Sequence, residues 1–161
     1  MTNATTSLNG MRGEQIASVA LVRHRILPLP FPPNYPKFDL LALNKDHEIC
    51  SFLQVKYNAD TKPIWKTSNT IEMPSGKRLY YIFIHDDPIT VGLHVHFVVP
   101  EKDTIQISKA QEEAYVALQR KKNPNYKAND MRSINLGDAS FNEYREAFDQ
   151  ICQCLTPAPA N

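Results

Sequence analysis

The chain has 161 residues, of which 42% are hydrophobic and 22% charged. This length predicts one domain with its own core. Basic and acidic residues nearly balance at a net charge of +1, so the overall charge favours no class of partner. A protein of this charge that binds nucleic acid would need a local basic patch. Three cysteines without metal-finger spacing predict reduced thiols and a cytoplasmic setting. We expect no secretory signal and no membrane segment, because the start is polar and no apolar run is long enough.

The first predicted element is a helix at residues 11–24, preceded by a flexible tail at residues 1–10. Apolar residues recur there at helical spacing and form one stripe, made of Ile16, Ala17, Ala20 and Leu21. Glu14 lies on the rim of this stripe. An acidic side chain in a first helical turn is ordinarily a solvated group that complements the helix dipole.

A proline-rich connector follows the helix. Residues 26–36 contain five prolines, which exclude a helix or a central strand because proline lacks the amide donor and fixes φ. The segment therefore predicts an extended link, with an edge strand near residues 26–29.

Two apolar runs around a short polar break predict a β-hairpin. The runs are residues 38–43 and 49–56, and the break at residues 44–48 is rich in turn formers. With the turn centred after Asp46, Asp39 would lie opposite Gln54.

The polar residues of this hairpin would then share a patch. Asp39, Gln54 and Lys56 project from one face at the same end, where a carboxylate, an amide oxygen and an ammonium could hold a divalent cation and a phosphate. The alternative is that they are ordinary polar groups at strand ends, and a one-residue slip would separate them. Both faces are otherwise apolar, which indicates a central hairpin covered on each side.

A polar loop at residues 58–76 comes next, with one large aromatic residue. Lys62, Lys66, Lys77 and Arg78 place positive charge close in sequence to the end of the hairpin, and Trp65 lies among them. A nucleic-acid backbone passing there would meet cations and a ring for stacking. The alternative is a solvated loop.

Two β-rich runs at residues 79–85 and 91–99 predict buried strands. His94 and His96 share one face of the second run by alternation, and His85 with Asp86 could complete a metal site. Ordinary structural histidines are the simpler interpretation.

The last predicted elements are two helices, at residues 108–122 and 140–155. The first has capping-box spacing at Ser108 and an inner stripe of Ala110, Ala114, Ala117 and Leu118. The second carries a core stripe of Phe141, Tyr144, Phe148, Ile151 and Leu155. The chain therefore predicts a single α/β domain over residues 11–155, with a mixed central sheet flanked by helices and a flexible tail at 156–161.

This order and its polar residues resemble the PD-(D/E)xK nuclease superfamily, which has the restriction-endonuclease-like fold. The resemblance is carried by Glu14 in GEQIA, by Asp39 in FDLLA and by the Gln54-Val55-Lys56 triplet. It covers about residues 11–57, and beyond them it is a matter of element order. Gln54 stands where most members have an acidic residue, although a Gln-x-Lys form occurs in some branches.

The resemblance implies a magnesium-dependent DNA endonuclease. Glu14, Asp39 and Gln54 would hold Mg²⁺ or Mn²⁺, and Lys56 would act beside them on the attacking water or the phosphate. The partner implied is a nucleic acid, most simply DNA, and a homodimer is compatible with cutting both strands.

Two other functions stay open at this point. The superfamily includes members that keep the fold without cleavage, so the chain could be an inactive module that binds nucleic acid or protein. A transition-metal hydrolase centred on His85, Asp86, His94 and His96 is the third hypothesis.

Overall fold

The computed structural model describes residues 3–32, 35, 38–67, 78–127 and 132–152, with side chains from residue 8 onward. The helices are α1 (Asn3–Arg23) and α2 (Glu101–Lys122). The strands are β1 (Leu27–Pro30), β2 (Leu40–Leu43), β3 (Ile49–Asn58), β4 (Ile64–Thr67), β5 (Leu79–Asp86), β6 (His94–Pro100) and β7 (Arg132–Asn135). Two short 3₁₀-helices close the described chain, at Ala139–Tyr144 and Phe148–Ile151.

The central sheet has five strands in the order β1-β2-β3-β5-β6. Strand β3 pairs with β5 in parallel, and the other neighbours are antiparallel, so the sheet is mixed as predicted. A separate ribbon joins β4 to β7. The prediction of a single α/β domain with a mixed sheet flanked by helices is confirmed.

The predicted hairpin register is confirmed for the first three pairs of β2 and β3. Leu40 pairs with Leu53, and the next two pairs keep the predicted offset. The register shifts only at Leu43, next to the turn, where the ladder is irregular. Asp39 precedes this ladder, and its backbone amide donates to the Leu53 carbonyl at 2.9 Å, one residue away from the Gln54 partner that the predicted offset requires. Asp39 nevertheless lies beside Gln54, because its carboxylate accepts a hydrogen bond from the Gln54 side chain.

Apolar side chains fill both faces of the sheet. Helix α1 covers one face, and the buried residues there include Ala17, Leu21, Leu40, Leu53, Val55 and Ile82. The ribbon and α2 cover the other, around Trp65, Tyr81, Phe83, Phe97 and Ile134. Strand alternation predicts Phe38 on the same face as Leu40, but Phe38 packs against Phe52 on the ribbon side, at a ring distance of 4.6 Å. Phe38 precedes β2, so strand alternation does not apply to it.

Helix α1 begins at Asn3, so the prediction of a tail at residues 1–10 is wrong for residues 3–10. The predicted stripe is confirmed, since Ala17, Ala20 and Leu21 are buried. The predicted connector is confirmed as well, because β1 forms an edge strand against β2.

Two predicted helices differ from the structure. Helix α2 starts at Glu101, directly after Pro100, and its buried residues are Thr104 and Ser108 rather than the alanines. The stretch predicted as a last helix forms the two 3₁₀-helices instead, although Phe148 and Ile151 are buried as expected. Residues 153–161, which include Leu155 and the predicted tail, lie outside the described part of the chain.

Neither helix in the described residues is long and apolar enough to cross a membrane.

Candidate active site

Asp39 is held at the open end of the hairpin by both its backbone and its side chain. Its carbonyl accepts a hydrogen bond from Phe31 at 3.0 Å. Its Oδ2 accepts one from the Val55 amide at 2.6 Å and one from Gln54 Nε2 at 2.5 Å. The Asp39 carboxylate thus accepts the hydrogen bond that the Val55 amide would otherwise donate to a backbone carbonyl of the neighbouring strand. The backbone bonds of Asp39 fix the position of the carboxylate.

This position explains how groups from two faces of the sheet meet. A strand amide points along the plane of its sheet, so the Asp39 carboxylate bonded to Val55 lies at the end of β2, between the two faces. Because Leu53 and Val55 face α1, alternation turns Gln54 and Lys56 toward the opposite face. Glu14 approaches from the α1 side. The predicted single-face patch is therefore a cluster around the end of a strand.

The electrostatics link all three charged residues of the cluster. Burial raises the pKa of Asp39, while the Val55 amide and the Lys56 ammonium act in the opposite direction. Burial also raises the pKa of Glu14, and the negative charge of Asp39 adds to this effect. The carboxylates of Glu14 and Asp39 repel each other, and a cation bound between them would reduce this repulsion.

The donor set fits Mg²⁺, which commonly uses one or two carboxylates and keeps several waters. Both hydrogen bonds to the Asp39 carboxylate fall on Oδ2, and among the described contacts neither uses Oδ1. Gln54 turns its amide nitrogen toward Asp39, so a half-turn of that amide would bring its oxygen to the same place. Glu14 would complete the set directly or through water. No group of three His, Cys, Asp or Glu side chains suited to a metal occurs in the described residues. A third protein ligand would therefore have to be the side-chain oxygen of Gln54.

Glu14 also lines a cleft beside α1. The cleft has a volume of about 530 Å³, and its wall includes Met11, Val19, Pro30 and Leu40. Among the four predicted site residues, Glu14 lines this cleft, whereas Asp39, Gln54 and Lys56 do not.

The residues predicted to contact nucleic acid separate into two groups. Lys62, Lys66 and Arg78 are exposed, whereas Lys77 lies outside the described residues. Trp65 is only 4% exposed, and its indole Nε1 donates to the Ile84 carbonyl at 3.0 Å. The prediction that Trp65 stacks on a base is wrong, because β4 turns this ring into the core while Lys66 faces out.

The histidines do not assemble into the alternative metal centre. His85 lies on the ribbon side of the sheet near Trp65, with ring centroids 5.8 Å apart. His94 and His96 lie on the other side and contact different carboxylates, Asp86 and Glu146, at 3.0 Å each. The metal site predicted from these residues is therefore wrong.

Sequence reasoning missed a polar cluster on the α1 side. Asp86 Oδ1 accepts a hydrogen bond from the Tyr57 hydroxyl at 2.8 Å and contacts His94, and the Arg12 guanidinium lies 3.8 Å away. Burial and the bond to Asp86 raise the pKa of Tyr57 to about 12, so its hydroxyl keeps its proton. Strand alternation predicts that Tyr57 projects from the face of the sheet opposite to that of Lys56. Nothing in the sequence indicates that Arg12 would reach Asp86.

Comparison of the chain with protein-family models, curated proteins and solved structures gives no match.

Proposed function

We propose that the protein is a metal-dependent phosphodiesterase acting on DNA, with its active site at Asp39, Gln54, Lys56 and Glu14. The observation that carries the proposal is the Asp39 carboxylate, which is fixed between Val55 and Gln54 and lies within electrostatic range of Glu14 and Lys56. The order of a helix, a three-stranded meander and a further parallel strand supports a restriction-endonuclease-like core. In the restriction-endonuclease-like fold a helix connects the meander to the further strand. In this chain the described part of the connection between β3 and β5 contains the strand β4 and no helix.

Each residue has a role that its position allows. Asp39 and Glu14 supply the negative charge that retains a divalent cation. Mg²⁺ bound there would lower the pKa of a bound water and neutralise charge on the phosphate. The Lys56 ammonium, next to Asp39, can donate hydrogen bonds to the scissile phosphate and orient the attacking water. The exposed Lys62 and Lys66 lie beyond the end of β3 and would contact the DNA backbone.

The test is nicking of supercoiled plasmid with Mg²⁺ or Mn²⁺. Lys56→Met keeps most of the aliphatic stem and removes the charge, so we expect activity to fall by about 100-fold or more, as for other groups that act on a transition state. Lys45→Met, at an exposed position in the hairpin turn, is the matched control and should retain most activity. Metal-dependent nicking that is equal in wild type and Lys56→Met would refute the assignment, provided that thermal melts show both to be folded.

One observation favours a second candidate, an inactive binding module on the same scaffold. Gln54 replaces a charged ligand with a neutral one, and its amide nitrogen bonds to Asp39. Salt-dependent DNA binding without cleavage under either metal would support this alternative. A Gln54→Glu variant that gains cleavage would show that the missing charge is the reason.

A further inference from the structure

Two thiols that are far apart in the sequence lie in contact. Cys50, at the start of β3, and Cys152, after the last 3₁₀-helix, are 102 residues apart, and their Sγ atoms are 2.8 Å apart. Both are free thiols, partly buried against the α1-side core. We propose that Cys50 and Cys152 form a reversible intramolecular disulfide when the protein meets a peroxide.

The backbone next to each cysteine is fixed, so the contact does not rest on the two side chains alone. The Ser51 hydroxyl donates to the Ile151 carbonyl at 2.9 Å, and this bond joins the immediate neighbours of the two thiols. The Tyr80 hydroxyl donates to the Gln150 carbonyl at 3.0 Å. Ile151 is fully buried. A disulfide would therefore form between segments that already lie side by side, with little backbone movement.

Access from solvent assigns the order of events. Cys152 lines a cleft of about 360 Å³ together with His24, Arg25 and Lys45, which is wide enough for hydrogen peroxide. Cys50 is not among the residues that line this cleft, and its Sγ lies 2.8 Å from that of Cys152. Peroxide therefore reaches Cys152 first, and Cys50 is in position to resolve the sulfenic acid.

The chemistry is balanced with hydrogen peroxide as the only oxidant. The Cys152 sulfur attacks one peroxide oxygen, the O–O bond breaks, and a sulfenic acid and one water form. The Cys50 sulfur then attacks the sulfenic sulfur, the S–O bond breaks, and the disulfide and a second water form. A dithiol reductant then reduces the disulfide by exchange, which returns Cys50 and Cys152 to thiols and leaves the reductant oxidised to its own disulfide. In a reducing compartment such a bond would be transient.

The test uses the Cys154→Ala variant, in which Cys50 and Cys152 are the only thiols. After treatment with hydrogen peroxide we expect the intact mass to fall by two hydrogen atoms and the digest to contain one peptide pair linked through Cys50 and Cys152. The thermal midpoint should rise on the order of 10 °C, because a long loop is closed in the unfolded chain, and dithiothreitol should reverse the rise.

The matched controls are Cys50→Ala and Cys152→Ala in the same background, and either suffices if the other does not fold. Each should add oxygen to its remaining thiol and show no rise in midpoint. Stable oxygen adducts without a cross-link in the two-thiol protein would overturn the proposal. A cross-link between chains, recognised by a yield that falls on dilution, would overturn it as well.

Discussion

Asp39 is a half-buried carboxylate whose environment favours the protonated form. Its pKa is raised in the folded state, chiefly by burial, so the folded protein binds more protons than the unfolded chain between the ordinary and the raised value. Stability therefore falls as pH rises through that window, and the destabilisation is complete above it. Glu14 has a raised pKa for a related reason and acts in the same direction.

Asp39→Asn should consequently stabilise the protein at neutral pH. The asparagine oxygen can still accept from the Val55 amide, while the buried charge is gone, and we expect a gain of about 1 kcal/mol, typical of substitutions that relieve a functional site. The gain should shrink as the pH falls from the raised pKa of Asp39 toward about 4, and it should be gone below about pH 4, where the wild-type carboxyl is protonated in both states. Urea unfolding at the two pH values measures both effects.

Asp60→Asn is the matched control, because Asp60 lies in an exposed turn. It should leave the free energy of unfolding within about 0.5 kcal/mol of wild type. Mn²⁺ should raise the thermal midpoint of wild type but not of Asp39→Asn. A loss of stability in Asp39→Asn at neutral pH, with no metal effect in either protein, would mark the carboxylate as a structural cap of β2.

Among the elements, α1 packs closely on β3 at Gly13, where a side chain would meet Tyr57. Gly13 is buried, and a Cβ added there would lie 2.5 Å from the Tyr57 Cβ. Gly10 is also in α1, but a Cβ added there has nothing within 4 Å. Alanine substitutions at the two glycines therefore separate two contributions to stability, the helix propensity of alanine and the packing of α1 on the sheet.

Gly13→Ala should destabilise the protein by about 1–3 kcal/mol, because the added methyl group meets a part of Tyr57 that cannot turn away. Gly10→Ala should stabilise it by about 0.5–1 kcal/mol through helix propensity alone. Denaturant unfolding of both variants measures the difference. Because Glu14 is the next residue, Gly13→Ala should also reduce metal-dependent nicking, whereas Gly10→Ala should not. Equal stabilisation by both alanines would contradict the close approach.

The elements that were predicted correctly are those whose pattern is local. The hairpin follows from two apolar runs around a turn, and the predicted register holds for Leu40, Leu41 and Ala42 but not for Leu43, next to the turn. Helix α2 was placed too late because most of it is exposed, so its alanines do not mark a buried stripe. The prediction that Phe148 and Ile151 are buried is confirmed. Residues three apart share a face in a 3₁₀-helix as well as in an α-helix, so their spacing does not distinguish the two.

At the scale of the whole molecule, the limit of prediction was the contact between distant segments. Asp39, Gln54 and Lys56 belong to one hairpin and could be placed together. The burial of Trp65 depends on the pairing of β4 with β7, which begins at Arg132, and no local pattern indicates this pairing. Arg12 at Asp86 and Cys50 at Cys152 are further contacts of the same kind.

The net charge of +1 gives the molecule no general attraction for DNA, so any binding must depend on a few local cations. Lys62 and Lys66 are exposed and follow the end of β3 that carries Lys56. Each neutralised phosphate contributes about one to the slope of log K against log salt concentration, so Lys62→Ala and Lys66→Ala should each lower that slope by about 1. Lys45→Ala, at the turn end of the hairpin, is the control and should leave the slope unchanged. Fluorescence anisotropy of a labelled duplex across a salt series gives the slopes, and a decrease confined to Lys45→Ala would place the DNA at the opposite end of the sheet.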